Sequence, residues 1–341
     1  MEGSLDLRTD PSAPLLGDML ARLGLAPRHA LCLDATPPIM TLPALAGATR
    51  VAVQGWRPAH DALVAAGIAT APALADADIG FDAALVRIGR SRVRNLAALA
   101  EGLLRLAPGG TLLAAGPNDC GPASHARLVG ATASLSRLHA RAFALPLAAA
   151  PASDLLERWR DAARIARVAP DGHFAAPGAF AADRIDRGSA LLAACLPGDV
   201  CGRVADLGAG WGFLTMRLRD LCPGIAAIDL YEADHASLEA ARRNLPELPG
   251  AAFHWADVVR GLPRSDYDAI VANPPFHDDR AADSAIGRAF VVAAAAALRP
   301  GGRLWMVANR RLPYEETLRA SFARVAVLRE GEGYKVIAAT R

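Results

Sequence analysis

The chain repeats itself, and the repeat limits what it can fold into. Phe81-Asp82-Ala83-Ala84-Leu85 returns as Tyr267-Asp268-Ala269-Ile270-Val271, and Leu106-Ala107-Pro108-Gly109-Gly110 returns as Leu298-Arg299-Pro300-Gly301-Gly302. Trp56 to Leu63 aligns in the same order with Tyr231 to Leu238. Self-similarity of this kind implies two copies of one unit. The length of 341 residues exceeds one ordinary α/β domain, and a hydrophobic content of 52% can build two cores. We expect a first domain over residues 1–145, a linker over 146–172 and a second domain over 173–341. Pro146, Pro151 and Pro170 bracket the linker, and a helix is expected from Asp154 to Val168 with Ser153 or Asp154 as its N-cap.

The second copy carries the chemistry. Val204 to Leu207 reads as an apolar strand that enters a turn with Gly208, Gly210 and Gly212, followed by a helix from Phe213 to Leu221. The spacing is GxGxG, so it is neither the GxGxxG of dinucleotide binders nor a P-loop. Glycines without Cβ allow close backbone approach to a ligand, which fits the carboxylate and ribose of S-adenosylmethionine (SAM). The next strand, Ile225 to Tyr231, ends in Glu232, where a doubly wound fold places an acid on ribose hydroxyls; an acidic N-cap or first-turn residue for the helix Asp234 to Asn244 is the plain alternative. A third strand, Ala251 to Trp255, leads to Asp257, a candidate acceptor for an adenine amino group or an ordinary loop aspartate.

Tyr267 to Ala272 reads as a buried strand that ends in Asn273-Pro274-Pro275-Phe276. The prolines fix φ and lack N–H donors, which leaves the Asn273 side-chain oxygen and the Pro274 carbonyl as two acceptors for a planar NH2 group, with Phe276 to stack on its ring. Asn-Pro-Pro alone often marks only a strand-ending turn. Glycine loop, acid, acid and NPPF at successive strand ends give it context, because open α/β sheets bind ligands along that edge.

With these residues in view, 180–341 resembles a class I SAM-dependent methyltransferase, and in particular the bacterial 16S rRNA guanine-N2 methyltransferase family. The resemblance rests on Pro177 to Phe180, Arg184 to Ser189, Asp206 to Gly212, Asn273 to His277 and Val307 to Tyr314. Ala181 stands where relatives often carry serine. The resemblance implies two tandem Rossmann-like α/β domains, each a doubly wound, mostly parallel sheet with an antiparallel C-terminal strand. It implies SAM as cofactor, held by Asp186, Asp206, Gly208, Gly210, Gly212, Glu232, Asp257 and Asn273, with Asn273, Pro274, Pro275 and Phe276 as the catalytic set. It also implies that the degenerate copy aids folding and RNA binding.

In the first copy Leu33-Asp34-Ala35-Thr36-Pro37-Pro38 replaces the glycine loop, Arg57 stands where Glu232 is expected, and Arg87-Ile88-Gly89-Arg90 replaces NPPF. A cofactor-free domain is expected. Arg87, Arg90, Arg92 and Arg94 after the predicted strand, with Arg137, His139 and Arg141 in a later segment, form a basic cluster that suggests phosphate contacts. Arg90, Arg92, Arg94 and Arg141 are the RNA-binding candidates, joined by His277, Arg310 and Arg311 from the second copy, although a net charge of +2 also accommodates ordinary solvated arginines. Small-subunit rRNA is the favoured partner. Methylation of 23S rRNA guanine, of adenine N6 or of protein glutamine stays open, as does a noncatalytic RNA-binding assembly factor. The most apolar run, Phe290 to Leu298, is too short for a membrane span, and Met1 to Pro11 lacks a signal-peptide pattern. Five cysteines without a CxxC pair are expected to be reduced core residues, and no metal site is expected. A cytoplasmic monomer follows.

Overall fold

A computed structural model describes residues 10–137, 139–168, 172–275 and 280–341, and of 280–284 only the backbone. Phe276 and His277 lie outside the described residues. The chain divides into two compact units, Glu2–Arg164 and Ile165–Arg341.

The first unit runs α1 (Ser12–Arg22), β1 (His29–Leu33), α2 (Pro37–Met40), β2 (Thr49–Val53), α3 (Arg57–Ala65), β3 (Thr70–Ala71), β4 (Phe81–Arg87), α4 (Arg92–Leu104), β5 (Leu106–Pro117), α5 (Pro122–Val129), β6 (Ala133–Arg137), β7 (Ala140–Pro146) and α6 (Ser153–Asp161). The second runs β8 (Ala166–Val168), β9 (His173–Ala175), α7 (Arg187–Ala193), β10 (Gly202–Leu207), α8 (Phe213–Leu221), β11 (Ile225–Glu232), α9 (His235–Asn244), β12 (Ala251–Trp255), β13 (Tyr267–Ala272), α10 (Arg280–Ala297), β14 (Leu298–Asn309), α11 (Glu315–Ser321), β15 (Arg324–Gly331) and β16 (Tyr334–Thr340).

The two main sheets share one topology. Their orders are β3-β2-β1-β4-β5-β7-β6 and β12-β11-β10-β13-β14-β16-β15. In each, the first five strands of that order are parallel. The last strand in sequence, β7 or β16, runs antiparallel to both of its neighbours. The central strands β1, β4, β10 and β13 are apolar runs buried on both faces, as helices on two sides of a parallel sheet demand. Both units keep a Pro-Gly-Gly kink in the long strand. A Cβ on Gly110 would lie 2.9 Å from the Phe81 carbonyl oxygen, and one on Gly302 would lie 3.0 Å from that of Tyr267.

Two expectations change. The helix expected from Asp154 to Val168 ends at Asp161, and neither Ser153 nor Asp154 caps it, because the helix starts at Ser153 with Ala152 at the N-cap. Leu156 is buried in the first unit's core with Trp159 packed alongside, while Ala166–Val168 pairs antiparallel with His173–Ala175. Hairpin pairing thus overrides helix propensity after Asp161. The cysteines are all free, but only Cys32 and Cys222 are buried and Cys201 is exposed.

Candidate active site

The glycine loop follows β10. Gly208, Gly210 and Gly212 hold φ of 73°, 56° and 92°, in the left-handed region that side chains resist. Gly208 and Ala209 N–H both donate to the Tyr231 carbonyl at 2.9 and 3.1 Å, which fastens the loop to the end of β11. A Cβ added at Gly210 would meet nothing within 4 Å, so the loop faces open space there.

Beneath the loop lies Asp206, fully buried. Its Oδ2 accepts from the backbone N–H and hydroxyl of Thr215 at 3.1 and 2.8 Å, while Oδ1 has no partner among the described residues. Burial pushes its carboxyl up to about 7, against the pull of the Thr215 hydrogen bonds. Glu232 ends β11 and is also buried. Oε2 accepts from Gly210 N–H and Oε1 from Asp234 N–H, both at 2.8 Å. Burial again pushes the acid up to about 7. Glu232 does not cap α9; Asp234 does, accepting from Ser237 N–H at 2.8 Å. Asp257 follows β12, and its Oδ1 accepts from Val259 N–H at 3.0 Å and caps a short 3-10 turn.

Asn273 follows β13 and is 9% exposed. Its Nδ2 donates to Asp186 Oδ2 at 2.9 Å and to Ser189 Oγ at 2.7 Å. Its Oδ1 is buried without a partner among the described residues. Asp186 Oδ2 also accepts from Ser189 N–H at 2.7 Å and so caps α7. Pro274 is buried and Pro275 half-buried beside it.

Sequence reasoning missed the residues that brace this edge. Trp211 of the glycine loop stacks on His173 at 3.9 Å, and its Nε1–H donates to Ala181 O at 3.2 Å. Asn244 bonds both backbone groups of Phe174 and donates to Trp211 O, tying β9 to the loop. These residues come from scattered stretches, so only the aromatic between two glycines offered a signal. On the far side, Lys335 is buried and donates to Leu312 O and to Glu315, which fixes the turn that leaves Arg310 and Arg311 exposed. In the first unit Arg90 and Arg92 are exposed and Arg94 and Arg141 half-buried.

The first unit has the same edge with other contents. Register places Leu33 beside Val53 and Leu207 beside Tyr231, so Gln54, not Arg57, stands where Glu232 does. Arg57 instead sits at the start of α3, bonded to Asp61. Gln54 Nε2 donates to Ala35 O at 2.9 Å, the reverse polarity of Glu232 accepting from Gly210. Asp34 takes the place of Gly208 at φ 51°. Thr36 takes that of Gly210, and its hydroxyl donates to Asp10 at 2.9 Å. Arg87 takes that of Asn273; contrary to its place in the expected basic cluster it is buried, pairing with Asp10 at 3.6 Å, and so is turned inward rather than toward phosphates. Among the described residues no acidic, His or Cys cluster could hold a metal, and no helix is long and apolar enough to cross a membrane.

The strand order common to both units, with the glycine turn and strand-end acid that the second unit alone carries, defines a class I methyltransferase fold built twice and furnished for a cofactor once. Comparison with known proteins narrows the class. Residues 173–338 match the methyltransferase small domain. The chain is 30% identical over 269 residues to the ribosomal RNA small subunit methyltransferase C of Shewanella amazonensis, covering 76% of this chain and 78% of that one. It is 38% identical over 169 residues to its namesake in Chromohalobacter salexigens, covering 48% of this chain and 50% of that relative's length. The solved T. thermophilus 16S rRNA N2 G1207 methyltransferase, in complex with AdoMet and guanosine, superposes with a TM-score of 0.80 at 27% identity, covering 99% of this chain and 94% of that one. The chain belongs to the ribosomal RNA small subunit methyltransferase C family.

Proposed function

We propose that the protein methylates the exocyclic N2 of a guanine in 16S rRNA with SAM as methyl donor. One observation carries this reading. The buried Asn273 Oδ1 has no partner among the described residues while its Nδ2 is held by Asp186 and Ser189, leaving an oriented acceptor at the NPP turn. The T. thermophilus relative, solved with AdoMet and guanosine, supports the choice of cofactor and base.

The residues present fit SAM. The open face at Gly210 leaves room that a Cβ would fill, and the unpartnered Asp206 Oδ1 and the Glu232 carboxylate supply buried acceptors beside it. We assign Asp206, Gly208, Gly210, Gly212 and Glu232 to the cofactor, with Asp257 toward the adenine. When bound, the cofactor supplies an electrophilic sulfonium methyl group.

The chain's own task is to prepare the amine. The guanine N2 lone pair is delocalised into the ring, which makes it a poor nucleophile. Acceptance of its two hydrogens by Asn273 Oδ1 and the Pro274 carbonyl orients the nitrogen and favours pyramidalisation. Positioning of this kind supplies about 7–11 kcal/mol of a barrier in favourable cases. The proton released after transfer is strongly acidic and leaves to these acceptors or to water, so no strong base is needed. Base extrusion costs a few kcal/mol, and Phe276 is assigned to replace the lost stacking.

We take residues 173–341 as the catalytic domain and the first unit as its cofactor-free support. Arg90, Arg92, Arg94 and Arg141, with His277, Arg310 and Arg311, are assigned to RNA phosphates, the small subunit is the substrate particle, and a cytoplasmic monomer is expected. The test is transfer of labelled methyl from SAM to unmodified small subunits, large subunits and naked rRNAs, followed by nucleoside mass spectrometry. N2-methylguanosine confined to 16S rRNA is the expected product; another methylated nucleoside, or no transfer despite SAM binding, overturns the reading.

A further inference from the structure

We propose that Asp186 and Ser189 are positioning residues that decide which atom of Asn273 faces the substrate, and that this clamp requires an amide rather than a carboxylate at position 273. The inference rests on the reading of Asn273 as an acceptor for the target amine.

An amide side chain has nearly the same shape after a half-turn, yet the turn exchanges an acceptor for a donor. A donor facing the substrate NH2 would repel it. Asp186 removes the ambiguity, because an ionised carboxylate only accepts, and at 2.9 Å from Asn273 it demands the NH2 group. Ser189 Oγ takes the other hydrogen at 2.7 Å. Both donors are then used and the oxygen has one orientation.

Asp186 is itself held fast. It caps α7 through Ser189 N–H, and α7 is seated by the buried Leu192 and by Gly188, where a Cβ would lie 3.1 Å from the Tyr334 ring. One oxygen, Asp186 Oδ2, receives both Ser189 N–H and Asn273 Nδ2. That oxygen is therefore committed to the clamp, whatever Asp186 Oδ1 contacts.

The first unit supports this division of labour. Asp10 lies just before Pro11, the N-cap of α1, where Asp186 is itself the N-cap of α7; its Oδ1 accepts from Ser12 N–H at 2.9 Å, and its Oδ2 faces Arg87, the residue in Asn273's place. The acid is kept in a unit whose glycine loop is gone. Its common duty in both copies is to hold the residue that follows the fourth strand's shared core.

A carboxylate at 273 would meet Asp186 at hydrogen-bond distance, and two carboxylates so close do not both ionise readily. Asn273→Asp should therefore hold a proton above the ordinary aspartate range. In that form its hydroxyl donates to Asp186 and its carbonyl oxygen faces outward, a copy of the wild-type amide. Activity should survive at low pH and fall as pH rises, in a limb that the wild type lacks. Asp186→Asn/Asn273→Asp removes the repulsion, so the limb should vanish.

The experiment measures kcat against pH with unmodified small subunits and labelled SAM, the SAM Kd by calorimetry, and, in Asn273→Asp, the titration of the carboxyl introduced at position 273 by 13C NMR. Asp186→Ala should lower kcat about a hundredfold with the SAM Kd within about twofold, in the range seen when one preorganised polar group is lost. Ser189→Ala, which leaves the backbone cap intact, should lower kcat about tenfold, a partial version of the same loss. The NMR pKa of Asn273→Asp should be raised, and the double variant should lose the alkaline limb. An ordinary aspartate pKa at position 273, a wild-type pH profile in Asn273→Asp, or a weakened SAM Kd with unchanged kcat in Asp186→Ala overturns the clamp. Full transfer by Asn273→Ala would instead overturn the functional reading on which it rests.

Discussion

The two units share a strand order and differ in what stands at the strand ends. Glycines that the fold itself needs are kept in both: Gly110 and Gly302 each face a strand carbonyl closely enough to exclude a Cβ. Glycines that open the edge are kept in one. Asp34 holds Gly208's left-handed turn, and the hydrogen bond from Ala35 N–H to Val53 O repeats that from Ala209 to Tyr231 at the same 3.1 Å. Thr36, in Gly210's place, is tied to Asp10. Backbone geometry has thus outlived the space it once enclosed. Topology is held by buried strands and a few steric requirements, whereas a binding site depends on side chains that can be exchanged without loss of the sheet.

Exchange at equivalent positions tests this contrast. The largest effect on transfer is expected at Asn273. Asn273→Ala should lower kcat by about 10²–10³-fold, as when one preorganised polar group is removed from an active site, with SAM affinity nearly unchanged by calorimetry. Equivalent loss in the first unit should appear as stability instead. Arg87→Ala leaves the buried Asp10 without its ion-pair partner, which should destabilise that unit by about 3–5 kcal/mol in urea unfolding, the usual cost of stranding a buried charge. If Arg87→Ala unfolds normally and abolishes transfer, the division between a catalytic and a supporting copy is wrong.

Subtler substitutions probe the same difference. Gly210→Ala should cost about 1–2 kcal/mol of stability from its positive φ and should weaken SAM binding tenfold or more, because the new methyl enters the open face of the loop. The smallest effect concerns pH. Burial raises Glu232 from 4.5 to about 7 and Asp206 from 3.8 to about 7. Between the lower and upper values the folded state holds protons that the unfolded chain has released, so their contribution to stability falls as pH rises from about 4 to about 7 and is level above that. Glu232→Gln, which copies Gln54, should flatten its share when unfolding is compared at pH 5 and pH 7.5; an unchanged slope would mean that Glu232 ionises freely in the folded chain.

Much of the second unit is legible in its sequence. Strands β12 and β13 and helix α8 begin and end where the residue pattern predicts, because an apolar run bounded by glycine, proline or a capping acid leaves little choice. The interdomain helix is shorter than its pattern suggests, since Ala162 to Val168 has no breaker and only pairing with His173–Ala175 turns its end into strand. Arg57 aligns with Glu232 in sequence because the segment around it resembles the second copy, but strand register moves the equivalence to Gln54.

The doubled α/β plan, the glycine turn, and the NPP turn with Asn273 at its head are all written into short stretches of the chain. These are local facts, fixed by periodicity, by φ and by the missing N–H of proline. What those residues do to one another is a property of the folded chain alone. Folding sets Asn273 against Asp186 and Ser189, more than eighty residues earlier, joins Glu232 to Gly210, and stacks Trp211 on His173. The orientation of an amide and the ionisation of a buried acid depend on neighbours brought together by the sheet, and no short stretch of sequence contains them.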